Sequence, residues 1–272
     1  MSVLYNDFSQ DAYTWLRGLV KAGLLSHGDI STTPIELIKA RDARFFNQCH
    51  FFCGIGGWPL ALKLAGVPED ANIWTGSCPC QPFSVAGKGE GVNDERDLWP
   101  TFASLIGECK PDFVVGEQVE AAIRHDWYKR LCEDLMHQGY GVLGAVLSAN
   151  IIGSPHVRKR LYWFAYRKEA MENTDVLRRT RWLPVGDPSW CLAEVQGNGE
   201  ESVPSSFPFW SDGEWVEGTE GQSFALQPGS FPLVNGVSNR VVKCVGYGNA
   251  IVPQLGALFL LSCFDTLKEI YN

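Results

Sequence analysis

The chain lacks a long uninterrupted apolar run. The best stretch, residues 251–264, is broken by Pro253 and Gln254, so no membrane-spanning segment is expected. The first eleven residues carry two acids and no basic region ahead of an apolar core, so they do not read as a secretory signal. Cysteine does not come in an even set: there are nine, scattered, which argues for free thiols in a reducing compartment. The pairs Cys49/Cys53 and Cys78/Cys80 lack zinc spacing and have no histidine following at finger distance, so no metal is expected. The five histidines form no cluster, and His27, His50, His125 and His137 are read as structural. Cations are missing from residues 182–239. That stretch holds Asp187, Glu194, Glu200, Glu201, Asp212, Glu214, Glu217 and Glu220, whose eight charges equal the whole net charge of −8. The remainder is balanced, so local basic patches at Arg158–Arg160 and Arg178–Arg181 can face an anionic ligand. With 272 residues, 45% of them hydrophobic, the chain can bury a core without disulfides.

Strand-like and helical segments alternate, which predicts an α/β fold with a largely parallel sheet. Helices are expected over 11–25, 59–65, 98–109, 121–136 and 249–271, and a short one starting at Thr33-Pro34. Strands are expected over 44–52, 73–76, 112–116, 142–147 and 161–166. Residues 170–235 break the rhythm. Rich in Gly, Pro, Ser and acid, and holding four of the ten tryptophans, they read as a loop-rich lobe.

Two motifs carry the chemistry. Phe51-Phe52-Cys53-Gly54-Ile55-Gly56-Gly57 runs a strand into glycines that open a helix. Such glycines allow close approach of a ligand, although a plain tight turn is an equal reading. Cys78-Pro79-Cys80-Gln81-Pro82-Phe83-Ser84, followed by Gly87-Lys88-Gly89, presents a cysteine rigidly between prolines. That suits a thiolate nucleophile whose pKa is lowered by a local field, with Lys88 as one source.

At this point the chain resembles the DNA cytosine-5 methyltransferases, in a compact form like the phage-encoded branch. Pro79–Ser84 matches the family's nucleophile motif and Phe52–Gly57 its S-adenosylmethionine loop. Glu117-Gln118-Val119 resembles Glu-Asn-Val, and 156–160 resembles Gln-x-Arg-x-Arg. Gly248-Asn249-Ala250-Ile251-Val252 resembles Gly-Asn-x-x-Val.

The resemblance implies a Rossmann-like methyltransferase sheet formed by 1–167 and 237–272, with a small target-recognition lobe at 168–236. It implies a cytoplasmic monomer acting on double-stranded DNA. The cofactor would contact Phe52, Cys53, Gly54, Ile55, Gly56, Gly57, Pro79, Asn249, Ala250 and Ile251. Cys80 would add to C6 of a flipped cytosine, Glu117 would bond N3 and the exocyclic amine, and Arg160, with Arg158 close by, would hold O2. DNA contacts fall to Gln81, Ser84, Lys88, Arg96, Arg178, Arg179 and Arg181, the last three reading equally as a solvated charge run. The competing readings are a silent DNA-binding relic, and an enzyme that places another group on cytosine C5 or acts on a nucleotide.

The chain departs from the family pattern in three places. Gln118 replaces Asn, and His156 replaces Gln. Only residues 60–77 separate the glycine loop from the nucleophile, too few for the strand–helix–strand expected there. Residues 1–48, with Gly28-Asp29-Ile30, are the candidate replacement, in a rearranged order that brings Asp29 and Ile30 to the adenine.

Overall fold

The structure is a computed structural model that describes residues 2–79, 97–152, 154, 158–171 and 250–271, and the backbone of 214–217 and 223–226. Seven strands form one mixed sheet: β1 (Val3–Asn6), β2 (Asp29–Ser31), β3 (Gln48–Phe51), β4 (Ile73–Gly76), β5 (Phe113–Val119), β6 (Tyr140–Ser148) and β7 (Lys159–Arg167). Their spatial order is β2-β1-β3-β4-β5-β7-β6, parallel through β5 and antiparallel at β7 and β6. A separate hairpin pairs β8 (Glu214–Glu217) with β9 (Ser223–Leu226). The expected Rossmann-like sheet is therefore present.

Helices cover both faces. Leu4, Cys49, Trp74 and Val114 stand in register on one face. They pack under α2 (Ala40–Ala43), α4 (Trp99–Cys109), α6 (Trp127–His137) and a 3-10 turn at Ile35–Leu37. Val3, Gln48, Ile73 and Phe113 point to the other face. There lie α1 (Gln10–Lys21), α3 (Gly57–Leu64) and the last helix, α8 (Pro253–Tyr271). Two short helices, α5 (Ala121–Arg124) and α7 (Lys168–Met171), complete the set.

This order carries an uncommon feature. α1 connects β1 to β2 leftward in the order above, while α3 connects β3 to β4 rightward, yet both lie on one face. Their crossovers must have opposite hands. The β2–β3 and β4–β5 connections run rightward over the other face and share the hand of α1. Three of these four crossovers thus share one hand and the one through α3 has the other, in a class of connection that is right-handed in about 98% of cases.

Several elements differ from the sequence reading. β1 and β2 were not expected as strands: at four and three residues they are too short to show a period. The strand expected from residue 44 starts at Gln48, because Ala40–Ala43 turns as a helix and leaves Phe45 77% exposed. The helix expected over 121–136 breaks at Asp126, whose φ of 57° is left-handed. The last helix begins at Pro253, since proline fits a first turn and not a helix interior.

Candidate functional site

The carboxyl ends of β1, β3 and β4 lie level: Asn6 pairs with Phe51, and Phe51 with Gly76. In a parallel sheet this edge is where ligands sit. The glycine loop leaves β3 here. Phe52 takes φ 52°, which strains a non-glycine residue, and Gly54 and Gly56 take 54° and 86°. Only glycine adopts such angles freely, and at Gly56 a side chain would also crowd Leu25, Leu16 and Leu19.

The N-terminal segment holds this loop in place. Asp7 follows β1 and accepts the Gly54 N–H through Oδ2 (2.8 Å) and the Ser9 N–H through Oδ1 (3.0 Å). The Trp15 indole N–H donates to the Ile55 carbonyl (3.2 Å), and Cys53 N–H donates to Asn6 O (3.0 Å). On the far side, Ile251 packs so closely on Gly57 that a Cβ there would sit 2.8 Å from it. Cys53 is buried, and burial pushes its thiol pKa up.

Sequence reasoning missed Asp7. Its signal was an acid directly after a short apolar stretch, hidden because four residues do not announce a strand. Asp29 opens β2, is exposed, and pairs with Leu4, two positions before the strand's carboxyl end; Ile30 follows and pairs with Tyr5.

The second cluster forms where β4 and β5 end. Glu117 is 7% exposed on β5. Arg160, from the neighbouring β7, places its Nε 3.1 Å from Glu117 Oε1, without the alignment of a good hydrogen bond. Burial raises the Glu117 pKa to about 7; the charges of Arg160 and Arg158 pull it partly back. Desolvation lowers the Arg158 pKa from its ordinary value, as does the charge of Arg160, and Nη2 donates to the Ala250 carbonyl (3.0 Å). Tyr162 stands opposite Glu117 and is bonded to the Val252 backbone, so β5, β7 and the lead-in to α8 converge on this acid.

The nucleophile loop is described as far as Pro79. Gln118, 2% exposed, donates from Nε2 to the Cys78 carbonyl (3.2 Å). The amide of the residue that departs from Asn thus still reaches this loop. Cys78 is buried, with its thiol pKa pushed up by burial, which marks it as packing rather than nucleophile. Cys80, Gln81, Ser84, Lys88, Arg96, Arg178, Arg179, Arg181, His156 and Asn249 lie outside the described residues.

Parts of the chain are similar to known proteins. Residues 63–190 match the family described as C-5 cytosine-specific DNA methylase. Type II methyltransferase M.HgiDI of Herpetosiphon aurantiacus is 34% identical over 92 residues, 34% of this chain and 30% of its own. Orphan methyltransferase M.SPRI of Bacillus phage SPR is 32% identical over 135 residues, 46% of this chain and 31% of its own. Type II methyltransferase M.MthTI of Methanothermobacter thermautotrophicus is 31% identical over 157 residues, 53% and 47% of the two chains. The matched part therefore spans less than half of these relatives. Among solved structures, the S. pombe Dnmt2 methyltransferase aligns with a TM-score of 0.39 and 16% identity, over 61% of this chain and 50% of that one.

Proposed function

We propose that this chain, related to the C-5 cytosine-specific DNA methylases across residues 63–190, is an S-adenosylmethionine-dependent DNA cytosine-5 methyltransferase. One observation carries the reading: a buried carboxyl, Glu117, set against two arginines beside the loop that leads to Cys80. Cytosine C5 is a weak nucleophile. Addition of the Cys80 thiolate to C6 turns the ring into an enamine whose C5 is nucleophilic, and negative charge spreads onto the ring. Glu117, protonated near neutrality, donates to N3 and offsets that charge, while its other oxygen accepts from the exocyclic amine. Arg160, with Arg158 behind it, holds O2. Later loss of the C5 proton and expulsion of Cys80 restore the aromatic ring. A base inside a duplex cannot reach such a site, so the cytosine is flipped out.

The residues at the other cluster fit the cofactor. Gly54 has open space where a Cβ would stand, so a ligand can lie against the loop backbone, and the Asp7 carboxylate at the β1 end is an acceptor for hydroxyls. Bound S-adenosylmethionine would supply an electrophilic methyl on sulfur, which C5 would take as the S–CH3 bond breaks, leaving S-adenosylhomocysteine. Gly54, Ile55 and Gly56 would cradle it, with Phe52, Cys53, Gly57, Pro79, Asn249, Ala250 and Ile251 around it, and Asp29 and Ile30 would reach its adenine. The lobe at 168–236 would read the DNA, with a monomer sufficient.

Incubation of the protein with labelled S-adenosylmethionine and cytosine-containing DNA tests this. Nucleoside mass analysis should show 5-methylcytosine, abolished by Cys80→Ala. Product in the Cys80→Ala variant, or none from the wild type, overturns the reading.

A further inference from the structure

Ser77 is the first residue beyond β4 and lies three positions before Cys80. Its Oγ accepts two hydrogen bonds. One comes from the Trp58 indole N–H (2.9 Å), on the helix that the glycine loop opens. The other comes from the backbone N–H of Glu117 (3.0 Å). A serine oxygen has two lone pairs, so this one atom is fully engaged as an acceptor.

The β4–β5 ladder ends at the pair Thr75–Val115. Glu117 lies two residues further on, where β4 offers it no ladder partner, and the Ser77 side chain takes over. Trp58 is 4% exposed and packs edge-on against Tyr162 (6.1 Å, 76°), the residue opposite Glu117. An indole N–H so buried needs an acceptor, because an unmade bond leaves its desolvation penalty uncompensated.

We propose that Ser77 is a positioning residue that locks three parts of the reaction site to one another: the cofactor-loop helix through Trp58, the strand end bearing Glu117, and the start of the nucleophile loop. It touches neither substrate nor cofactor. It acts by fixing the separation of the glycine loop, and so of the methyl donor, from the acid and the nucleophile. Displacements of about 1 Å in such constellations cost on the order of 100-fold in rate. This inference rests on the methyltransferase reading given above.

Full-length wild type, Ser77→Ala, Ser77→Thr, Trp58→Phe and the double variant Trp58→Phe/Ser77→Ala are assayed for methyl transfer. Each yields kcat, the KM for S-adenosylmethionine, the pH profile of kcat and a thermal midpoint. Ser77→Ala should lower kcat roughly 10- to 100-fold and raise the cofactor KM several-fold. Ser77→Thr, which keeps the hydroxyl, should recover most of both. Trp58→Phe should lower kcat less, and adding it to Ser77→Ala should cost little more, since both remove the same link. The fall in kcat expected as Glu117 loses its proton should shift in pH in Ser77→Ala and return in Ser77→Thr.

Wild-type kcat and KM in Ser77→Ala, or losses that multiply independently in the double variant, overturn the proposal and leave the methyltransferase reading intact. If Ser77→Ala does not fold, Trp58→Phe decides: an unchanged kcat and KM there overturn it as well. A wild-type protein that makes no 5-methylcytosine removes the reading and, with it, the positioning role.

Discussion

Glu117 concentrates the conflict between stability and chemistry at a single residue. Its carboxyl is buried and its pKa is raised to about 7, chiefly by desolvation. In the unfolded chain the group titrates near 4.5. Between these values the folded state binds the proton and the unfolded state does not, so stability falls as pH rises from about 4.5 to about 7. Two results are expected. The catalytic rate should decline as pH rises through about 7, because Glu117 loses the proton that the proposed mechanism delivers to cytosine N3. Glu117→Gln, which cannot ionise, should lose about 100-fold or more in rate while melting at a higher temperature than wild type at pH 8 and not at pH 4.5. Parallel melting curves at both pH values would contradict the assignment of burial as the dominant cause.

At the scale of elements, the site depends on how closely the ends of β4 and β5 approach. A Cβ on Gly116 would sit 2.3 Å from the Gly76 carbonyl and 2.4 Å from the Trp163 ring, both fixed parts of the sheet and core. Gly116→Ala must therefore push β5 away from β4 or β7. Overpacking of this kind costs about 1–3 kcal/mol. Because Glu117 is the next residue, activity in the folded fraction should fall as well, which denaturant melts combined with activity per folded molecule will check. The same strands explain a histidine read as structural. His50 on β3 is 1% exposed, stacks on Tyr5 of β1 (5.3 Å between rings) and bonds Thr75 of β4 (2.9 Å). Burial lowers its pKa to about 3, so it stays neutral and contributes packing across three strands.

Over the whole molecule, the notable feature is which segments supply which strands. The sheet takes its left half, β2 and β1, from the N-terminal residues, and β3 with its glycine loop follows them. On the proposed reading these strands stand in for those expected between the glycine loop and the nucleophile, and the order goes with an α3 crossover of opposite hand to that through α1. If the N-terminal half completes the cofactor site, Asp29→Ala should weaken S-adenosylmethionine binding several-fold in calorimetry with the fold intact. An unchanged affinity would limit the segment to a structural role. Binding of DNA through phosphates should weaken with added salt in proportion to the contacts made.

The sequence by itself determined the local chemistry. The alternation of strands and helices and the glycine loop were legible because each is a contiguous pattern, while Glu117, Arg158 and Arg160 were singled out through the family resemblance of their motifs. β4, α4, β5 and β7 lie close to where periodicity put them, because each buries a strong apolar repeat. Tertiary structure decided what contiguity cannot encode. Val3–Asn6 is held between β2 and β3, and Asp29–Ser31 by β1 on one side, rather than through their own pattern. Asp7, Trp15, Trp58 and Ser77 gain their roles only when strands distant in sequence end at the same level. There a side-chain oxygen or indole N–H meets a partner 19 to 47 residues away, a backbone group in every case but the Trp58–Ser77 bond.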